Sequence, residues 1–123
     1  MTTAHTKPID PATAQAVQLF LRRAALQFAV RDGILFGSRA RGYARRDSDA
    51  DVAVVLDGRR GKFMQTKLAM ADIAFDTLLD TGIHVQPLPV WASEWNAPES
   101  WWNPELLRTV KRTGVSVWPP TRT

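Results

Sequence analysis

Two short apolar runs, Ile34-Leu35-Phe36 and Val52-Ala53-Val54-Val55-Leu56, bracket a polar segment that runs from Gly37 to Asp51. Each run is too short for a buried helix and carries β-branched or aromatic residues, so each reads as a buried strand. The segment between them is arginine-rich and broken by Gly42, and it holds no apolar run of its own. It therefore lies at one end of whatever sheet the two strands build.

The flanking segments read as helices and further strands. Asp10-Pro11 opens a helix, because Asp accepts from free N–H groups and Pro at the first helical position gives up no hydrogen bond. Val17, Phe20, Leu21, Ala24 and Phe28 follow at helical spacing, and Asp32-Gly33 is the expected stop. Met64, Leu68, Ala71, Phe75 and Leu78 form a second stripe over residues 62–79, expected to face the core, while Asp72, Asp76 and Asp80 form a solvated row. Residues 83–90 read as a third strand, which Pro87 and Pro89 confine to an edge or end. Asn103-Pro104-Glu105 opens a last helix that Gly114 closes, and Val115 to Trp118 forms a short fourth strand. Helices alternate with strands, without repeats or linkers. The expected fold is a single α/β (α+β) domain over residues 1–123, a small mixed sheet flanked by helices, with residues 91–123 a Trp-rich extension of it.

Charge and composition narrow the function classes. The net charge is +4, yet from Arg22 to Arg46 seven arginines stand against one acid, and from Asp47 to Asp80 seven aspartates stand against four bases. A basic segment running into an acidic one suits an anionic ligand held together with a cation. Nucleic acid is compatible with the basic balance but less favoured. The chain has no cysteine, which excludes a disulfide framework, a thiolate metal site and a cysteine nucleophile. It has no long apolar run and no apolar signal core near its start, so the expected location is cytoplasmic, with no membrane partner.

The chemistry concentrates in Gly37-Ser38-Arg39-Ala40-Arg41-Gly42 and Asp49-Ala50-Asp51. A strand that ends in Gly-Ser and turns into a helix aims backbone N–H groups outward. Gly37 lets a phosphate approach the backbone, and the Ser38 hydroxyl can donate to it. Arg39 and Arg41 bring positive charge, and arginine grips phosphate through paired hydrogen bonds. Asp49 and Asp51 are two positions apart at a strand mouth, so strand geometry points both carboxylates to one side. Mg²⁺ joins such carboxylates to substrate phosphates. Taken separately, these parts read rather as a strand-ending turn, a capping Asp49 and a surface ion pair of Asp51 with Arg45 or Arg46.

Joined at this spacing, Gly37-Ser38, ten residues, then Asp49-x-Asp51, the pattern resembles the signature of the DNA polymerase β-like nucleotidyltransferases. The context resembles their small stand-alone branch, the minimal nucleotidyltransferases. The resemblance implies the polymerase β palm-like fold. It implies that the Gly-Ser turn holds a nucleoside triphosphate, with ATP the expected substrate, and that Asp49 and Asp51 bind Mg²⁺ across its phosphates. An acceptor hydroxyl then attacks the α-phosphorus and pyrophosphate leaves. Ser38, Arg39 and Arg41 fall at nucleotide-binding positions. Such small proteins are often paired with a HEPN-type toxin, to which some transfer AMP as antitoxins; a homo-oligomer sharing the task is the other arrangement.

The family also carries a third carboxylate on a later strand. Here residues 82–88 contain no acid, and His84 and Gln86 occupy the face where it is sought. A catalytically weakened subunit that acts by complex formation is therefore the alternative reading. All five tryptophans (Trp91, Trp95, Trp101, Trp102 and Trp118) fall in the last third, as an interface or as a cover for the sheet.

Overall fold

The computed structural model describes residues 9–42, 45 and 47–119. Tyr43, Ala44 and Arg46, within the segment linking the turn to the acidic pair, lie outside the described residues, as do residues 1–8 and 120–123.

Helix α1 spans Pro11–Ala24. Its cap is as the sequence dictates: the Asp10 carboxylate accepts from the Thr13 backbone N–H at 3.0 Å, and Pro11 takes the first turn. Ala16, Val17, Phe20, Leu21 and Ala24 are buried along one face. The expected stop at Asp32-Gly33 is corrected. The helix ends at Ala24, Phe28 sits half-buried beyond it, and Asp32 and Gly33 belong to strand β1 (Val30–Phe36). Gly33 serves close packing there, since a Cβ on it would lie 2.5 Å from Leu21 Cδ1. Asp32 accepts from its neighbour's N–H and from the Ser116 hydroxyl at 2.7 Å, tying the strand to the chain's last one.

Strand β2 (Ala50–Leu56) is antiparallel to β1, and β3 (Val85–Trp91) is parallel to β2. The parallel step is made by helix α3 (Phe63–Thr81), following the short helix α2 (Ser38–Arg41) between β1 and β2. After β3 come α4 (Ala92–Asn96), one 3-10 turn, α5 (Pro104–Thr113) and β4 (Val115–Trp118), which pairs antiparallel with β1. The sheet order is β3-β2-β1-β4, so Pro87 and Pro89 fall on an edge strand, where the missing N–H groups break no outer ladder. The expected mixed sheet flanked by helices is the fold observed.

One face of the sheet packs Leu35, Val52, Val54 and Val85 against α1 and α3. The other packs Ile34, Ala53, Val55, Leu88 and Val90 against α5 through Leu107 and Val110. Trp91 and Trp101 are buried in these two cores, whereas Trp102 is exposed and packs edge-on to Phe63 with ring centres 5.8 Å apart. The tryptophans thus divide between covering the sheet and meeting solvent.

The inward stripe expected on α3 is also corrected. Met70, Ile73, Ala74 and Thr77 face the core, and Met64, Leu68, Ala71 and Phe75 are exposed, with Leu78 half-buried. The helix carries apolar residues on two faces, so periodicity alone cannot say which is buried. Thr77 is tolerated inside because its hydroxyl donates to the Ile73 carbonyl at 2.9 Å. Asp72 and Asp76 are exposed, and Asp80 forms an ion pair with Arg23 of α1.

Candidate functional site

The site starts from one backbone conformation. Gly37, at the end of β1, has φ 78°, a left-handed value that a side chain adopts only with strain. From it the chain turns at once into α2, and the Ala40 and Arg41 N–H groups donate to the Gly37 carbonyl. Strand register then brings the acidic pair to this turn: Phe36 lies opposite Asp51 in the β1–β2 ladder. A Cβ on residue 37 would sit 2.6 Å from Asp51 Oδ2. The glycine is needed twice, for its dihedral and for the space the carboxylate fills.

Asp49 and Asp51 line one cavity of about 300 Å³ together with Phe36, Lys67, Gln86, Leu88 and Leu106. Both carboxylates therefore face the same space, on the α5 side of the sheet. Burial, and secondarily the neighbouring Asp49 carboxylate, push the Asp51 carboxyl above the usual range. Asp49, more open, accepts from Gln86 Nε2 at 3.3 Å, and His84 Nδ1 lies 3.3 Å from its other oxygen. The parallel β2–β3 register, Asp51 opposite Gln86, places these two side chains beside the acidic pair. Among the described residues no group of three or more His, Cys, Asp or Glu is gathered in metal-holding geometry.

The other nucleotide-binding candidates separate. Ser38 is half-buried in the turn and Arg41 is exposed at the end of α2. Arg39, expected to face phosphate, is only 7% exposed. Its Nε donates to the Ser48 carbonyl at 2.7 Å and a terminal nitrogen donates to Thr13 Oγ1 at 2.8 Å. The Thr13 hydroxyl in turn donates to Asp10 at 2.6 Å. Arg39 fastens the start of α1 to the segment just before Asp49, because a buried guanidinium needs several acceptors and finds them there.

Lys67, Phe36, Leu88 and Leu106 were not legible as site residues. Lys67 belongs to α3, on the opposite face of the sheet, and its Nζ lies 6.0 Å from the centre of the Phe63 ring while its side chain lines the cavity. Nothing local in the sequence sets a helix lysine against a strand-mouth aspartate; only the path of α3 along the sheet edge does.

A family model for the nucleotidyltransferase domain matches residues 19–103, more than half of the chain and inclusive of the turn, the acidic pair and β3. The chain belongs to this family. The crystal structure of a protein from Sulfolobus solfataricus assigned as a nucleotidyltransferase superposes with a TM-score of 0.59. It is 18% identical, with 95% of this chain and 92% of that chain covered, a likeness of fold. No curated protein matches the chain. In the nucleotidyltransferase domain the matched span closes at Asn103, the residue that caps α5 by accepting from the Leu106 N–H. Among the described residues no helix is long and apolar enough to cross a membrane.

Proposed function

We propose that this nucleotidyltransferase domain moves a nucleoside monophosphate, AMP from ATP, to a hydroxyl on a partner protein, a HEPN-type toxin in a cytoplasmic toxin–antitoxin pair, and that the reaction depends on Mg²⁺. The observation that carries this reading is the packing of Asp51 against the Gly37 turn, with Asp49 opening into the same cavity.

The donor set fits one Mg²⁺. Asp49 and Asp51 are hard oxygen donors, and this ion takes one or two carboxylates and fills its remaining positions with substrate phosphate and water. When bound, Mg²⁺ neutralises phosphate charge and relieves the repulsion between the two carboxylates. The rest falls to the chain's own groups. Gly37 carries no side chain to block a phosphate at the turn, and Ser38 next to it offers a hydroxyl. Lys67 supplies a positive charge in the cavity wall, and Phe36, Leu88 and Leu106 offer apolar surface to a base or sugar. In the transfer, the acceptor oxygen bonds to the α-phosphorus, the bond to pyrophosphate breaks, and the hydroxyl proton leaves to solvent or a base.

A second reading rests on a specific observation: Asp49 is flanked by His84 and Gln86, and no third acid joins the pair among the described residues. In that reading the chain binds its partner, with or without nucleotide, and transfers nothing. One assay separates the two. The protein, Mg²⁺ and α-labelled ATP are incubated with the co-encoded partner, beside the Asp49→Asn/Asp51→Asn variant. Label on the partner with the wild type alone supports transfer; a stable complex without label supports the binding subunit.

A further inference from the structure

Four of the largest exposed apolar side chains lie on one line of α3: Met64 (60% exposed), Leu68 (62%), Phe75 (56%) and Leu79 (68%). At about 100° per residue they fall within an arc of about 60°, with the small Ala71 beside them. The buried residues Met70, Ile73, Ala74 and Thr77 occupy nearly the opposite side of the helix. This stripe runs about 22 Å along a regular helix, from the rise of about 1.5 Å per residue. Scattered exposed leucines need no explanation, but a continuous line of large side chains does.

The borders of the stripe differ in charge. One carries Gln65, Asp72 and Asp76, all exposed, with Asp80 beyond them paired to Arg23. The other carries Lys67, whose ammonium is turned toward the Phe63 ring and the cavity. A second copy laid antiparallel about a two-fold axis sets each border against its own equivalent. Asp72 and Asp76 would then meet the same acids of the copy. A parallel copy would set those acids beside Lys67, which is already held at the cavity wall. The charge pattern therefore disfavours self-pairing.

We propose that the outer face of α3 docks a different protein, one that presents an amphipathic helix whose apolar stripe is bordered by Lys or Arg. Apolar side chains of that helix interleave with Met64, Leu68, Phe75 and Leu79, and its basic border meets Asp72 and Asp76. None of Met64, Leu68, Phe75 and Leu79 lines the cavity, which of α3 only Lys67, at the border, reaches, so the partner can hold the domain without filling the nucleotide site.

Fluorescence anisotropy of the full chain with two labelled synthetic helical peptides tests this. Both carry leucines at helical spacing; one has lysines and the other glutamates along the border. The lysine peptide is expected to bind at least about tenfold more tightly than the glutamate peptide, with the advantage shrinking as salt rises. Leu68→Asp and Phe75→Asp are expected to weaken it by about tenfold or more, and Asp72→Lys/Asp76→Lys to reverse the preference between peptides. These side chains are outside the core, so thermal unfolding of the variants should match the wild type. Equal affinity for both peptides, failure of the lysine peptide to bind, or indifference to Leu68→Asp and Phe75→Asp would overturn the proposal. So would a wild-type dimer in sedimentation that Leu68→Asp dissolves, since a second copy would then be the occupant.

Discussion

A Cβ placed on Gly37 would lie 2.6 Å from Asp51 Oδ2, so the last residue before α2 and the second aspartate of the pair share one van der Waals space. Gly37→Ala must either move that carboxylate or bend the turn, and it also places a side chain at φ 78°. The expected loss of stability is about 1–3 kcal/mol, and nucleotide transfer should fall more than about tenfold. Thermal unfolding and the label-transfer assay check the two halves of this prediction separately.

Asp51 stands at odds with stability. Burial, then Asp49, raises its pKa in the folded state. A carboxyl raised this way contributes stability that is fully present below its unfolded pKa and is lost as pH rises through its folded pKa. Asp51→Asn should therefore raise Tm at neutral pH, by on the order of 2 °C, while abolishing transfer. The gain over the wild type should vanish in acid, where Asp51 is itself neutral. Thermal melts of both proteins across pH 3–8, a window of about five units around the usual carboxylate range, read this directly.

Asp10 works in the opposite sense. The Thr13 hydroxyl, then the Thr13 backbone N–H and the Arg39 charge, hold its carboxyl below the usual range against a partial burial cost. Its stabilisation is present above the unfolded pKa and is lost as pH falls through the folded pKa. Asp10→Ala should cost about 1 kcal/mol at neutral pH, and the difference should close on acidification. Urea unfolding at several pH values gives the comparison.

Arg39 holds the start of α1 to the segment before Asp49. Arg39→Ala leaves Thr13 Oγ1 and the Ser48 carbonyl without this donor. It should lower stability by about 2–3 kcal/mol, and Arg39→Lys should recover only part of this, because one ammonium cannot span both acceptors. With the segment before Asp49 loosened, KM for nucleotide should rise more than kcat falls.

His84 touches Asp49 from the side, at a hydrogen-bonding distance. His84→Ala should slow transfer by no more than about fivefold, against about a thousandfold for Asp49→Asn, because the imidazole orients a carboxylate it does not replace. Initial rates with labelled ATP distinguish the two.

The turn and the acidic pair were readable in the sequence because both signals are local. Gly37-Ser38 ends a strand, Asp49 and Asp51 open the next, and the period of a strand fixes their common side. The edge position of β3 followed from Pro87 and Pro89, and the caps of α1 and α5 from Asp10 and Asn103. What failed depended on tertiary choice. Helix α3 has two apolar faces, and the one that packs, with Met70, Ile73, Ala74 and Thr77, is not singled out by periodicity. Gly33 reads in sequence as a helix stop, because a glycine that admits Leu21 looks identical there to one that ends a helix. The tie of Arg39 to Thr13 and Ser48 is not legible in the sequence, because these acceptors are brought to it only by the fold.

Calorimetric binding of ATP to the intact chain, with and without Mg²⁺, tests most directly whether the Gly37 turn and the Asp49–Asp51 pair act as one grip. Saturable binding that needs the ion and weakens at least about tenfold in Asp49→Asn/Asp51→Asn is the expected result. Binding of equal strength in the variant, or without the ion, would contradict it.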